Sequence, residues 1–174
     1  MIQQFRYLQL EFPRLPDFQA VGGNRRGHWA KEYRARQLER SAWITELMAL
    51  GYPPQETAVM ESPIEAHVTF FFPSNRRGPR PDKDNAMTAL KDLFDVLEVW
   101  RATNRNRSTR GYAGLIVDDR DITHIHLEYA NGTEAKTIVQ LRTIDVRGEP
   151  VELPAWDGSR AIIDGSGLWQ EEET

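Results

Sequence analysis

Apolar positions along this chain recur with two different periods. At residues 4–12, Leu8, Leu10 and Phe12 alternate with Tyr7, Gln9 and Glu11, which predicts a strand closed by Pro13 and Pro16. At residues 65–72, Ala66, Val68, Phe70 and Phe72 make a second alternating run, ended by Pro73. Residues 122–129 and 137–145 read as two further strands, and Asn131-Gly132 between them predicts a hairpin. The period changes between strands. Residues 29–50 read as a helix, stopped by Gly51 and Pro53-Pro54. Residues 85–97 read as a second helix, with Ala86, Leu90, Leu93 and Leu97 on one stripe at i, i+4, i+7 and i+11.

The resulting order is β-α-β-α-β-β. It predicts an α/β class, a single domain over residues 1–145 with a mixed sheet and helices packed on it. A Gly-Gly-Asn-Arg-Arg-Gly loop (22–27) precedes the first helix, and a basic loop (74–81) precedes the second. Residues 100–114 form a polar, arginine-rich insertion expected to be mobile. Residues 146–174 read as an acidic, partly ordered tail. The five tryptophans are most simply core or surface anchors.

Composition narrows the chemistry. With 174 residues the chain is long enough for one real core. It has no cysteine, which excludes thiolate catalysis, cysteine zinc sites and disulfides. No apolar leader and no run of membrane-spanning length is visible, so the expectation is a soluble, cytoplasmic protein.

The net charge of −4 is unevenly spread. Residues 146–174 hold two basic and seven acidic side chains, a net −5 that leaves +1 for residues 1–145. That body carries basic clusters: Arg25 and Arg26; Lys31, Arg34, Arg36 and Arg40; Arg76, Arg77 and Arg80; Arg101, Arg105, Arg107 and Arg110. Arginine binds phosphate through two parallel bonds, and such clusters are the usual footprint of nucleic-acid binding. Each alone is more often a solvated face. Two of them flank the acidic groups described next.

Those acidic groups are the most informative residues. Arg80-Pro81-Asp82-Lys83-Asp84-Asn85 opens the second helix, and Asp118-Asp119 stands just before the third strand. Asp82 and Asp84, at i and i+2 of an extended segment, are expected to project together, with Asp84 at the helix start. Mutual repulsion would raise the pKa values of four clustered carboxylates unless a cation sat between them. Asp82, Asp84, Asp118 and Asp119 are therefore candidate ligands for Mg2+ or Mn2+, hard cations that take oxygen donors and retain water. An EF-hand fails, because Met87 and Leu93 occupy the positions needing Gly and Glu. The plain alternative is a helix cap and a polar turn.

In combination, these residues resemble the RusA-type Holliday junction resolvases, a family common in phages and prophages. The resemblance rests on Asp82, Asp84 and Asn85 opening a helix, and on Asp118-Asp119 before a strand. It extends to Asn24, His28 and Trp29 leading into a basic helix with Lys31 and Arg34, and covers residues 4–145. It implies a small dimer, bacterial or phage-encoded, that cuts four-way DNA junctions with magnesium or manganese. It also implies Asp82, Asp84 and Asp119 as catalytic residues, and a DNA face including Arg25, Arg26, His28, Lys31, Arg34, Arg76, Arg77, Arg80 and Asn85.

One position departs from the pattern. The catalytic Lys of the family lies four residues after the second Asp, where this chain has Thr88. Lys91, on the same helix face about one turn further on, is the candidate replacement. Two alternatives stay open at the level of sequence: a branched-DNA-binding protein without catalysis, and a nuclease for other branched or flap structures. His124 and His126 share one strand face and read as exposed polar positions of the hairpin.

Overall fold

Alternation in sequence becomes alternation in burial. In β1 (Tyr7–Phe12) Leu8, Leu10 and Phe12 are buried and the residues between them are not. The computed structural model describes residues 6–18, 29–76, 79–101, 111–144, 162–163 and 169–170. They contain α1 (Trp29–Ala49), β2 (Ile64–Pro73), α2 (Lys83–Leu97), a short 3-10 turn (Asp119–Asp121), β3 (Ile122–Gly132) and β4 (Lys136–Thr143). The described residues form an α/β domain with a four-stranded mixed sheet and two α-helices. Two-residue strands β5 (Ile162–Ile163) and β6 (Trp169–Gln170) pair separately; the rest of residues 146–174 lies outside the described residues.

The sheet order is β1-β4-β2-β3. β3 runs parallel to β2, with Phe72 opposite Asn131 and Pro73 opposite Gly132. β4 runs antiparallel to β2 and to β1. The expected β3–β4 hairpin does not form, because β2 lies between those strands. Asn131 and Gly132 extend β3 instead, and the Gly132 carbonyl accepts a bond from the Ser74 amide at 3.1 Å. The following turn therefore crosses the end of β2. Burial explains the choice: Ala66, Val68, Phe70 and Phe72 are nearly inaccessible, and a strand this apolar favours the middle of a sheet.

Both helices contribute to one core. Ala86, Leu90, Leu93 and Leu97 of α2 are fully buried, so the apolar stripe faces inward as its spacing predicts. Each such leucine contributes about 1.5–3 kcal/mol by leaving water. α1 is less apolar and packs through Trp43 and Leu47. Trp43 meets Phe12 edge-on at 5.1 Å, and the Arg14 guanidinium covers its ring at 4.4 Å. Polar groups fix the rest of the α1–α2 contact. Asp92 of α2 is 0 % exposed and accepts from Arg36 at 2.9 and 3.1 Å and from Arg40 at 3.3 Å.

Two boundaries differ from expectation. α2 begins at Lys83 with Asp82 as its cap; Asp84 lies inside the first turn. Asp82 is extended (φ −66°, ψ 162°), and its carboxylate accepts the Asn85 amide at 2.7 Å. An Asp can satisfy an orphan first-turn amide this way only from the residue before the helix. The second difference concerns residues 100–114. Residues 102–110 lie outside the described residues, but Tyr112 and Ala113 are buried in the core together with Leu115 and Ile116. Their amides bond back to α2 and its exit: Tyr112 to Glu98, Ala113 to Val96, Leu115 to Leu97.

Candidate functional site

α2 carries a second stripe, opposite the apolar one: Asp84, Thr88, Lys91, Asp95 and, at the C-cap, Glu98, spaced at i, i+4, i+7, i+11 and i+14. Its C-terminal part opens onto a cleft of about 370 Å³. α1 supplies Tyr33, Arg36, Gln37 and Arg40 to this cleft; the loop before β3 supplies Asp118, Asp119 and Arg120. Asp95, Glu98 and Asp119 place carboxylate oxygens within 4.8 Å of one another. Lys91 Nζ stands 3.6 Å from Asp119. Arg40 pairs with Asp95 as well as Asp92.

The backbone holds these groups in place. The Asp119 amide donates to Glu98 Oε1 at 3.0 Å. Asp118 and Asp121 cap the 3-10 turn reciprocally: Asp118 accepts from the Arg120 amide at 3.1 Å, and the Asp118 amide donates to Asp121 at 3.1 Å. The repulsion anticipated between Asp118 and Asp119 does not set the titration of Asp118. Its pKa lies below the ordinary value, chiefly because the Arg120 amide bonds its ionised form, with the Asp119 contact and the charges of Arg120 and Arg101 adding to this.

The four ligands chosen from sequence do not meet within one chain. Asp82 lies at the N-terminal end of α2, where Tyr129 near the far end of β3 donates to its carbonyl at 3.4 Å. Asp119 lies before the start of β3 and faces the middle and C-terminal turns of α2. Asp95 lies eleven helical steps after Asp84, about 16.5 Å of rise. Among the described residues Asp82 and Asp84 join no group of three or more potential ligands within 4.8 Å. Asp82 instead bonds the side-chain amide of Asn85 at 3.0 Å, and Thr88 bonds the Asp84 carbonyl at 2.9 Å. Beside this end of the helix, Arg76 and Arg80 stack on Phe72 at 4.5 and 5.6 Å, and Arg80 donates to Asn131 at 2.6 Å.

Of the remaining basic candidates, Lys31 and Arg34 are exposed on the first turns of α1. Arg25, Arg26, His28 and Arg77 lie outside the described residues. Asp95 and Glu98 were missing from the sequence expectation, although the helical spacing from Lys91 would have placed them beside it.

Gly111 borders the cleft with φ +71°. A Cβ there would stand 2.1 Å from the Val99 carbonyl oxygen and 2.7 Å from that of Glu98. Gly111→Ala is expected to lower stability by more than the ~1–2 kcal/mol that a left-handed backbone alone costs a non-glycine residue. The midpoint of urea unfolding measures this, and an unchanged midpoint would refute it.

A second group of potential ligands lies on the sheet face away from the helices: Glu65 and His67 of β2 with His126 of β3. Burial tends to raise the Glu65 pKa, but the bond and charge of Arg142, with the two imidazoles, bring it below the ordinary value. The His67 pKa is pushed down, first by burial and then by the charge of His126. Both groups hold potential metal-ligand atoms within 4.8 Å of one another. Among the described residues no helix is long and apolar enough to cross a membrane. No protein-family model matches the chain, and no curated protein does.

Proposed function

We propose that this protein is a divalent-metal-dependent endonuclease acting on branched DNA, four-way junctions foremost, with its chemistry centred on Asp119. The observation that carries this reading is the convergence of Asp95, Glu98 and Asp119 in a cleft whose other lining residues include Asp118 and the cations Arg36, Arg40, Lys91 and Arg120. The donor set fits a magnesium-type ion: it is all oxygen, and Asp95 and Asp119 are partly exposed, which leaves room for retained water. Asp119, Asp95 and Glu98 would hold the ion. When bound, it supplies neutralising charge for a phosphodiester and a more acidic water. The neighbouring cations already offset the carboxylates, so the cluster does not by itself demand a metal.

The protein's own groups have definable tasks. Arg120, 88 % exposed, and Lys91, 58 % exposed, reach solvent at the cleft mouth and suit a DNA phosphate. In the proposed reaction Lys91, 3.6 Å from Asp119, would offset the negative charge that builds up on the scissile phosphate. Its salt bridge to Asp119 supports the sequence expectation that it replaces the Lys absent at position 88. Lys91→Ala is expected to slow single-turnover cleavage about a hundredfold. Wild-type rates in that variant would remove Lys91 from the chemistry.

A second reading rests on the separation of the two acidic ends. A twofold dimer that set Asp82 and Asp84 of one copy against Asp118 and Asp119 of the other would form two four-carboxylate centres. Such a dimer would also match the near-twofold symmetry of a four-way junction.

The direct test incubates the protein with a labelled synthetic four-way junction, a flap substrate and a linear duplex, in magnesium, manganese or chelator. Paired symmetric nicks in the junction that need metal support the proposal. Preference for the flap would make the protein a different branched-DNA nuclease. Junction binding without cutting in any metal would leave a DNA-binding protein.

A further inference from the structure

The sheet face turned away from α1 and α2 is polar, and one part of it gathers ligand atoms. Glu65 and His67 are two residues apart on β2, on the side opposite the buried Ile64, Ala66 and Val68. His126 is the direct Cα partner of His67 across the parallel β2–β3 ladder. The two imidazoles stack at 4.3 Å with an interplanar angle of 16°. Both Nε2 atoms approach one carboxylate oxygen, Glu65 Oε1, at 2.8 Å from His126 and 3.4 Å from His67. Glu65 Oε2 is held by Arg142 of β4, its Cα partner on the other side. One oxygen is thus anchored and the other shared between two nitrogens.

We propose that Glu65, His67 and His126 form a binding site for a borderline dication of the zinc, cobalt or nickel class. Two imidazole nitrogens and one carboxylate oxygen form a donor set such ions favour, and one that magnesium does not. The three donors converge within 4.8 Å on two rigid neighbouring strands. Arg142 orients the carboxylate, as a second layer of bonds does in natural metal sites. His126 is 52 % exposed, so a bound ion stays open to water on that side. None of these residues borders the cleft that holds Asp119, so this site is separate from the proposed nuclease centre and stands or falls independently of it.

The alternative is a structural hydrogen-bond cluster that binds no metal. The discriminating experiment titrates Co2+ into untagged, chelator-stripped, full-length protein and follows the visible d–d bands, with Zn2+ as competitor. The expected result is one Co2+ per chain with the intense absorption of four-coordinate cobalt, displaced by Zn2+. His126→Ala and His67→Gln should each weaken binding more than about a hundredfold, because each removes a direct ligand rather than an outer partner. His124→Ala and Asp119→Asn should leave it unchanged, which sets aside the neighbouring histidine and the oxygen-only cleft. Circular dichroism confirms that each variant is folded, and if one variant does not fold the other decides. No nitrogen-ligated cobalt at micromolar concentrations, or full binding in a folded His126→Ala or His67→Gln, overturns the proposal.

Discussion

Asp119→Asn is expected to abolish junction cleavage, with a loss on the order of a hundredfold or more. Asp119 is tied into the cleft in three ways: it lies with Asp95 and Glu98, receives Lys91 at 3.6 Å, and is fixed through its amide to Glu98. Asn keeps the side-chain volume but removes the charge. A hard dication loses most of its attraction for such a set, and even outer partners of metal ligands are worth about ten- to a hundredfold. The amide bond to Glu98 is unaffected, so the fold should survive. The variant should still bind the junction, since the basic cleft wall remains.

The same variant separates the two readings of the acidic groups. An equimolar mixture of Asp84→Asn and Asp119→Asn chains, allowed to exchange, tests them directly. If each centre is built from two copies, mixed dimers contain one intact centre and regain nicking of one strand. If the centre lies within one chain at Asp95, Glu98 and Asp119, Asp84→Asn is active alone and the mixture merely averages the two. Cleavage by Asp119→Asn at the wild-type rate contradicts both.

The second large effect concerns stability. Arg36→Ala should cost about 3 kcal/mol, the lower part of the range for removing one partner of a buried ion pair. Asp92 is fully buried, and Arg36 supplies three of the four side-chain hydrogen bonds it accepts. The remaining Arg40 must then serve both Asp92 and Asp95. The effect should not stop at stability, because Arg40 is shared with a member of the carboxylate cluster. Chemical denaturation gives the first quantity, and the metal concentration needed for half-maximal cleavage gives the second. A shift in the unfolding midpoint corresponding to under about 0.5 kcal/mol, the range of ordinary surface substitutions, would show that the pair does not bear on the core.

The local structure was largely legible in the sequence, and its pairing was not. Leu8, Leu10 and Phe12 announced their strand, and Ala86, Leu90, Leu93 and Leu97 their helix, because side-chain periodicity is a local property. The partner of β3 is not local. Asn131-Gly132 carries the chemistry of a tight hairpin, yet its neighbours are Phe72 and Pro73. The acidic stretches showed the same division. Asp119 was visible as a candidate; its companions Asp95 and Glu98 lay further along the polar stripe, which was followed only from Asp84 through Thr88 to Lys91. That Asp82 and Asp84 lie near one end of α2 and Asp119 beside its middle and C-terminal turns, so that they form no group within one chain, depends on how the loop before β3 packs on α2, which is not local either. Glu65 and His67 passed unnoticed because only the strand order brings them to His126.

The strand order also governs when the domain can close. β1 lies at one edge of the four-stranded sheet and pairs only with β4. Across that ladder Lys136 reaches Glu11 at 3.0 Å, 125 positions apart along the chain. A ribosome that has released β1, α1, β2 and α2 has still not released the partner of the first strand. Until then Leu8, Leu10 and Phe12 have no adjacent strand, and β2 has both edges open until β3 emerges and one open until β4 does. Closing so distant a contact is slow, and unpaired apolar strands are what chaperones protect. For this protein, the hazardous interval of biosynthesis is the time taken to translate the stretch from β2 to β4.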